Sequence, residues 1–212
     1  MRQKDQIFWQ HMAKFYTAFM SHSTPLYKSL CARIAPWLSS SMTVLELACG
    51  TGQLSLPLAP YVQHWQATDL SSEMVARAKA RAGEMPQLYF STCDATRLSC
   101  ADACFDAVVI ANALHIMPAP ERALFQIRRV LKPGGLLFAP TFVHSGGLLA
   151  RLRTDIMQLS GFRVYHSWSS EAFLDFLSSQ GFHILEHATL GGPVLPLCHV
   201  VCQIDHEGDL SL

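Results

Sequence analysis

The sequence predicts a doubly wound α/β domain, a mostly parallel sheet with helices on both faces. Three observations carry that reading. Strand-like and helix-like patterns alternate from Thr43 to Phe142, the first strand runs into a glycine turn, and the last two strand patterns are linked directly, as an antiparallel edge pair would be.

Thr43-Val44-Leu45-Glu46-Leu47 is a short apolar run ending in a turn, the mark of a buried parallel strand. Pro57 lacks an amide hydrogen and so belongs near the first turn of the next helix. Trp65 to Asp69 reads as the second strand. Ser71 is placed to cap the next helix, Glu73 suits its positive end, Met74, Val75, Ala78 and Ala82 face inward, and Gly83 stops it. Leu88 to Thr92 is the third strand and Phe105 to Ala111, with β-branched residues at its centre, the fourth. Pro120 opens a helix whose Ala123, Leu124, Ile127, Val130 and Leu131 share one side. Pro133-Gly134-Gly135 ends it, and Leu136 to Phe142 returns as a fifth strand.

After Gly146-Gly147 an amphipathic helix is expected through Leu148, Leu152, Ile156 and Leu159. Ser169 then caps a helix ending at Gly181, and Phe182 to Leu190 and Cys198 to Ile204 are the final strands. At the other end, Phe8, Trp9, Met12, Phe15, Tyr16, Phe19 and Met20 recur at spacings of three and four, an apolar helical face broken by Ser21 to Pro25. A second amphipathic stretch runs from Leu26 through Leu30 and Ile34 towards Trp37. Two readings fit this helical cap: packing on the core, or a lid whose inner face also touches substrate.

Composition narrows the function. Half of the 212 residues are apolar and 15% charged, enough for one large core. Lys+Arg and Asp+Glu both number 16, so a net charge of zero offers no electrostatic case for nucleic acid or an anionic membrane. Arg128, Arg129 and Lys132 are the nearest thing to a basic cluster and read as a solvated helix end. Met1 to Gln6 is polar, and His11 and Lys14 interrupt the apolar residues behind it. No run reaches the roughly 18 apolar residues of a membrane span, so neither a signal peptide nor a span is expected. Seven cysteines, an odd number at irregular spacing, read as reduced thiols of a cytoplasmic protein. Neither Cys93, Cys100 and Cys104 nor Cys198 and Cys202 has a zinc spacing, and no metal is expected.

The most informative stretch is Val44 to Ser55, VLELACGTGQLS. A strand ends, Gly50 and Gly52 let the backbone turn and a ligand approach the main chain, and a helix begins. In an open α/β sheet, ligands bind at the carboxyl ends of the strands. A dinucleotide fingerprint would need a third glycine where Ser55 stands, and the acidic Glu46 would sit awkwardly beside a pyrophosphate. It suits a cationic ligand instead.

Here Glu46-Leu47-Ala48-Cys49-Gly50-Thr51-Gly52 resembles the first motif of the class I S-adenosylmethionine-dependent methyltransferases. Three further stretches resemble that family in the order it requires: Asp69-Leu70-Ser71 through Met74, Cys93-Asp94-Ala95, and Phe105 to Met117. Val130 to Phe138 resembles the structural turn before its fifth strand. The likeness covers about four-fifths of the chain.

The resemblance implies S-adenosylmethionine as cofactor, S-adenosylhomocysteine as product, and a seven-stranded sheet of order 3-2-1-4-5-7-6 with strand 7 antiparallel. It implies a single methyltransferase domain over 1–212, with a helical cap or lid (1–40), a cofactor-binding half (41–145) and substrate-side helices with the terminal strand pair (146–212). It implies cofactor contacts from Glu46, Ala48, Gly50, Gly52, Asp69 (ribose hydroxyls), Leu70 and Met74, Asp94 and Ala95 (adenine), and Asn112.

Methyl transfer from a sulfonium is an in-line displacement, in which holding nucleophile and methyl in line matters most. A base helps only where the acceptor must lose a proton. Candidates are His115, His144 and Tyr16, then His11, while Arg151, Arg153 or Arg163 could pair with an acidic acceptor. The branch it resembles, which includes quinone-biosynthesis enzymes, implies a small, partly apolar acceptor and a monomer or homodimer. Two alternatives stay open: a non-catalytic S-adenosylmethionine-binding protein, and an NAD(P)-dependent oxidoreductase.

Overall fold

The computed structural model describes residues 24–144, 164–191 and 196–204. At the centre of its sheet lies β1 (Thr43–Leu47), parallel to β2 (His64–Asp69) on one side and β4 (Phe105–Ile110) on the other. Outside β2 is β3 (Leu88–Thr92), and beyond β4 comes β5 (Leu131–Phe138), both parallel to their neighbours. Antiparallel β8 (Leu197–Ile204) pairs with β5, with the two-residue β6 (Thr141–Phe142) and with β7 (Phe182–Leu190). The resulting order, β3-β2-β1-β4-β5-β8-β6 with β7 on β8, is the expected doubly wound one; the two strands expected last are β7 and β8.

The eighth strand has a simple cause. Pairs Leu136↔Gln203, Phe138↔Val201, Thr141↔Cys198 and Phe142↔Leu197 share one register, so β6 continues the line of β5. Pro140 between them has no N–H to give to the ladder. The fifth strand differs from expectation at its start, since Leu131 to Gly135 already belong to it. Its pairing with β4 shifts between Phe105 and Ala107, a bulge that takes up Pro133-Gly134-Gly135. A Cβ at Gly135 would lie 2.8 Å from the Lys132 carbonyl, so the bulge closes only over glycine.

Side chains alternate between two apolar layers. Leu45, Leu47, Val108, Ile110 and Leu137 face α4 (Pro120–Val130) and α5 (Ser170–Ser179). Val44, Ala107, Val109 and Phe138 face α1 (Thr24–Ile34), which buries Tyr27, Leu30 and Ile34. The helix after the glycine turn, α2 (Ser55–Leu58), is a single turn with Pro57 inside that turn, and Pro60 in the 3-10 turn behind it has no N–H to continue the helix. Its successor α3 (Ser72–Ala82) is capped as expected: the Ser71 hydroxyl accepts the Met74 amide at 3.3 Å, and Gly83 leaves at φ 59°. Ser169 caps α5 in the same way, through the Ala172 amide.

Candidate functional site

The carboxyl ends of β1, β2, β3 and β4 converge on one cleft, and each arrives with its own turn chemistry. After β1 the chain passes through Ala48 (φ 55°), Gly50 (φ 57°) and Gly52 (φ 84°). Left-handed backbone is cheap for the two glycines and unusual for Ala48. The Cys49 amide donates to the Thr68 carbonyl at 2.9 Å, pinning the turn to β2.

Asp69, the last residue of β2, completes that link. Its Oδ2 accepts the Gly50 amide at 2.9 Å and its Oδ1 the Ser71 amide at 2.8 Å. Burial pushes this carboxyl above its ordinary range, against the amides of Ser71, Gly50 and Leu70, which favour the charged form. After β3, Asp94 Oδ1 accepts both the amide (2.9 Å) and the hydroxyl (2.8 Å) of Thr96. Partial burial raises the Asp94 pKa, but hydrogen bonds led by those from Thr96 outweigh it and hold the group below the usual carboxylate range.

Asn112 follows β4 at φ 52° and ties three elements together. Its Nδ2 donates to the Tyr27 oxygen at 2.9 Å, its Oδ1 accepts the Phe142 amide at 3.1 Å, and its own amide donates to Pro140 at 2.8 Å. Burial pushes the Tyr27 phenol up to about 12, so it stays protonated.

These ends enclose a cleft of about 980 Å³, its open mouth included. Of the residues expected at the site, Ala48, Gly50, Asp69, Leu70, Met74, Asp94, Ala95 and Asn112 line it. Cys93, from the quoted Cys93-Asp94-Ala95 stretch, lines it too, as do Thr96, Ala113, Ile116, Met117 and Arg122, none of which is named as a site residue from the sequence. Thr96 has a findable signal, since Asp-x-Thr is a side-chain turn pattern. Arg122 reaches the cleft only because α4 packs beside it, which no local signal reveals.

Glu46 is not among the residues that line the cleft. It lies on the same face of β1 as Val44, under the α1 layer. Its Oε2 accepts the Ser55 hydroxyl and the Trp65 indole N–H, the latter at 2.9 Å. Burial pushes its pKa up to about 7, against those two bonds. Gly52 also lies outside the cleft lining; a Cβ there would stand 3.2 Å from Leu56 Cγ, so this glycine shapes the turn.

Two of the base candidates, His115 and His144, lie among the described residues. His115 is buried in the 3-10 turn Leu114–Ile116, where burial, then the nearby His166, push its pKa down to about 4. His144 is partly buried, with its amide donating to the Trp168 carbonyl at 2.9 Å. Neither lines the cleft. Tyr16, His11, Arg151, Arg153 and Arg163, and the expected helix through Leu148 to Leu159, lie outside the described residues.

The small basic cluster is engaged internally: Arg129 with Asp102 at 2.6 Å, Lys132 with Asp106 at 2.7 Å, and Arg128 with the Gln180 carbonyl at 3.2 Å. Among the described residues, no three His, Cys, Asp or Glu come together as metal ligands, and no helix is long and apolar enough to cross a membrane.

Comparison with known proteins bears on the family and the fold. Residues 44–135 match the family model described as a methyltransferase domain. A demethylmenaquinone methyltransferase of Clavibacter sepedonicus is 39% identical over 173 residues, 73% of this chain and 71% of that one. A phosphatidylethanolamine N-methyltransferase of Cereibacter sphaeroides is 34% identical over 128 residues, 58% of this chain and 63% of that one. Matches to other demethylmenaquinone methyltransferases span only 41% and 40% of their lengths. Among solved structures, magnesium protoporphyrin IX methyltransferase from Synechocystis, with bound S-adenosylhomocysteine, superposes with a TM-score of 0.69 over 86% of this chain and 84% of that one. At 18% identity that likeness speaks to the fold alone.

Proposed function

The chain belongs to the class I S-adenosylmethionine-dependent methyltransferases, and we propose that it transfers the cofactor's methyl group to a small, partly apolar acceptor, releasing S-adenosylhomocysteine. One observation carries the reading: Gly50, Asp69 and Asp94, from three different strand ends, face one cleft, with Asp69 locked by two backbone amides.

The residues fit the cofactor. Asp69, held by backbone amides and lining the cleft, suits the ribose hydroxyls as an acceptor. Asp94, held anionic, suits the adenine amino group, with the Ala95 backbone beside the ring. Leu70, Ile116 and Met117 supply apolar surface for a flat base. Ala48 and Gly50, also in the lining, would present backbone to the amino-acid end, with Asn112 toward the methyl.

When bound, S-adenosylmethionine supplies an electrophilic methyl on a positively charged sulfur. The chain's part is to orient that methyl toward the acceptor and to exclude water, and positioning of this kind can lower a barrier by about 7–11 kcal/mol. No side chain needs to act as nucleophile. His115, neutral and behind the cleft wall, is not poised to take a proton from a group inside the cleft.

A dinucleotide fits less well. Ser55, where the third glycine would stand, is buried and bonded to Glu46, and the four-residue α2 offers a weak helix end for a pyrophosphate. Calorimetric titration with S-adenosylhomocysteine and NAD tests the choice. Micromolar binding of the first, abolished in Asp69→Ala, is expected; binding of NAD alone would return the chain to the oxidoreductases. Methyl transfer to any member of an acceptor panel separates an enzyme from a non-catalytic binder.

A further inference from the structure

Helix α3 meets the glycine turn along one face. Met74, Ala78 and Arg81 follow one another at helical spacing on that side of α3. Met74 lines the cleft. Ala78 is fully buried, and a Cβ added at Gly52 would lie 3.7 Å from the Ala78 Cβ, so the helix packs directly on the turn. At the end of the same face, Arg81 Nη1 donates to the Thr51 carbonyl, and to the Thr51 hydroxyl at 3.2 Å.

These bonds hold the turn from the side opposite the sheet. Asp69 already accepts the Gly50 amide from the end of β2. Thr51, fully buried between Gly50 and Gly52, also takes the Gln53 Nε2–H on its hydroxyl at 2.8 Å. The peptide unit joining Thr51 to Gly52 has its carbonyl on Arg81 and its N–H on the Cys49 carbonyl, at 3.0 Å. A planar peptide held at both ends cannot rotate. Arg81 therefore acts through that unit on Cys49, which stands between the cleft-lining Ala48 and Gly50.

The partner that Arg81 takes is unusual for this chain. Arg33, Arg77 and Arg129 pair with the carboxylates of Glu186, Glu73 and Asp102. Among the described residues no carboxylate pairs with Arg81, whose donors meet the neutral oxygens of Thr51. A charged donor makes a hydrogen bond roughly twice as strong as a neutral one. Here that strength falls on a turn in which Ala48, Gly50 and Gly52 all take left-handed backbone.

We propose that Arg81 is a positioning residue for the amino-acid end of the cofactor. It lies outside the cleft lining and acts by holding the glycine turn in the shape that receives that end. The proposal rests on the chain binding S-adenosylmethionine, whose nucleoside end falls to other strand ends, at Asp69 and Asp94.

The test compares S-adenosylhomocysteine with methylthioadenosine, which keeps adenine, ribose and sulfur but lacks the amino-acid end. The full chain, Arg81→Ala and Arg81→Lys are titrated with each by calorimetry, and exchange of the Gly52 amide is followed by NMR. Arg81→Ala should bind S-adenosylhomocysteine about tenfold or more weakly, while methylthioadenosine changes by less than about twofold. Arg81→Lys, which keeps the charge but not the planar fork, should fall between. Gly52 exchange should quicken in Arg81→Ala. The Arg81 side chain enters from an exposed position, so methylguanidinium should restore S-adenosylhomocysteine binding to Arg81→Ala, and tetramethylammonium at the same concentration should not. Should Arg81→Ala not fold, Arg81→Lys carries the same comparison, with a selective loss of about threefold or more expected. Equal losses for the two ligands would make Arg81 a residue of general stability, and unchanged affinity for S-adenosylhomocysteine would free the turn from it; either result overturns the proposal. A wild type that binds neither ligand would sink the cofactor reading and this proposal with it. A wild type that binds both, with variants that keep its ratio of affinities, would sink this proposal alone.

Discussion

Asp69 Oδ2 accepts the amide of Gly50 at 2.9 Å, so the last side chain of β2 fixes the glycine turn that leaves β1. One carboxylate thereby sets the shape of the turn and presents oxygens to the cleft. Removing it strands two buried amides, at about 1–3 kcal/mol each. Asp69→Ala should lower the melting temperature and weaken S-adenosylhomocysteine binding about 100-fold or more, by differential scanning fluorimetry and calorimetry. Asp69→Asn should fall between, because its NH₂ cannot accept the second amide. A variant that binds as the wild type does would remove Asp69 from the site.

Glu46 and His115 pull stability in opposite directions as pH changes. Glu46 binds its proton more tightly when folded, with a pKa of about 7 against an ordinary 4.5, so its contribution is full below 4.5 and is lost as pH rises through 7. His115, at about 4 against an ordinary 6.5, contributes stability above 6.5 and loses it as pH falls through 4. The two slopes partly cancel between pH 4.5 and 6.5. In Glu46→Gln the falling slope disappears, so unfolding free energy should rise more steeply with pH than in the wild type. The difference between the two proteins should grow by up to about 1.4 kcal/mol per pH unit across that window. Parallel denaturation profiles from pH 4.5 to 7 would show that Glu46 titrates normally.

Much of this site is legible in the sequence, for a physical reason. Gly50 turns the chain on its own backbone, and Asp94 and Asp69 accept amides two residues on, patterns that are local; the Asp69 bond to Gly50, 19 residues away, comes from the pairing of β1 with β2. The capping roles of Ser71 and Ser169 are readable on the same ground. Glu46 is the exception, although alternation along β1 puts it with Val44, on the face away from Leu45 and Leu47. The resemblance points this residue at the ligand, and the pleat brings it to Ser55 and Trp65. Arg122 and Arg81 have no local signature, since each reaches its place through the packing of distant segments. The bulge at Gly134-Gly135 reads in the sequence as a break between helix and strand, because a glycine pair looks the same in both.

Asn112 should tolerate glycine better than alanine. Its φ of 52° costs a residue with a Cβ roughly 1 kcal/mol or more, which glycine avoids, while both substitutions lose the bonds to Tyr27 and Phe142. Both should therefore destabilise, Asn112→Gly by about 1 kcal/mol less than Asn112→Ala in urea denaturation. The reverse order would mean that the left-handed geometry is not what holds this position.

Cys93 offers a readout of cleft occupancy that needs no knowledge of the acceptor. It lines the cleft next to Asp94, whereas Cys104, also partly exposed, does not. Burial, then Cys100 and Asp94, raise the Cys93 thiol pKa, so alkylation by iodoacetamide at pH 8 should be slow but measurable by mass spectrometry. A ligand at about 100 times its Kd leaves about 1% of sites empty, so S-adenosylhomocysteine should slow Cys93 alkylation at least about tenfold. Cys104 is the internal control: its rate should not change. Equal slowing of both thiols would point to global stabilisation, and no slowing of Cys93 would place the nucleoside elsewhere.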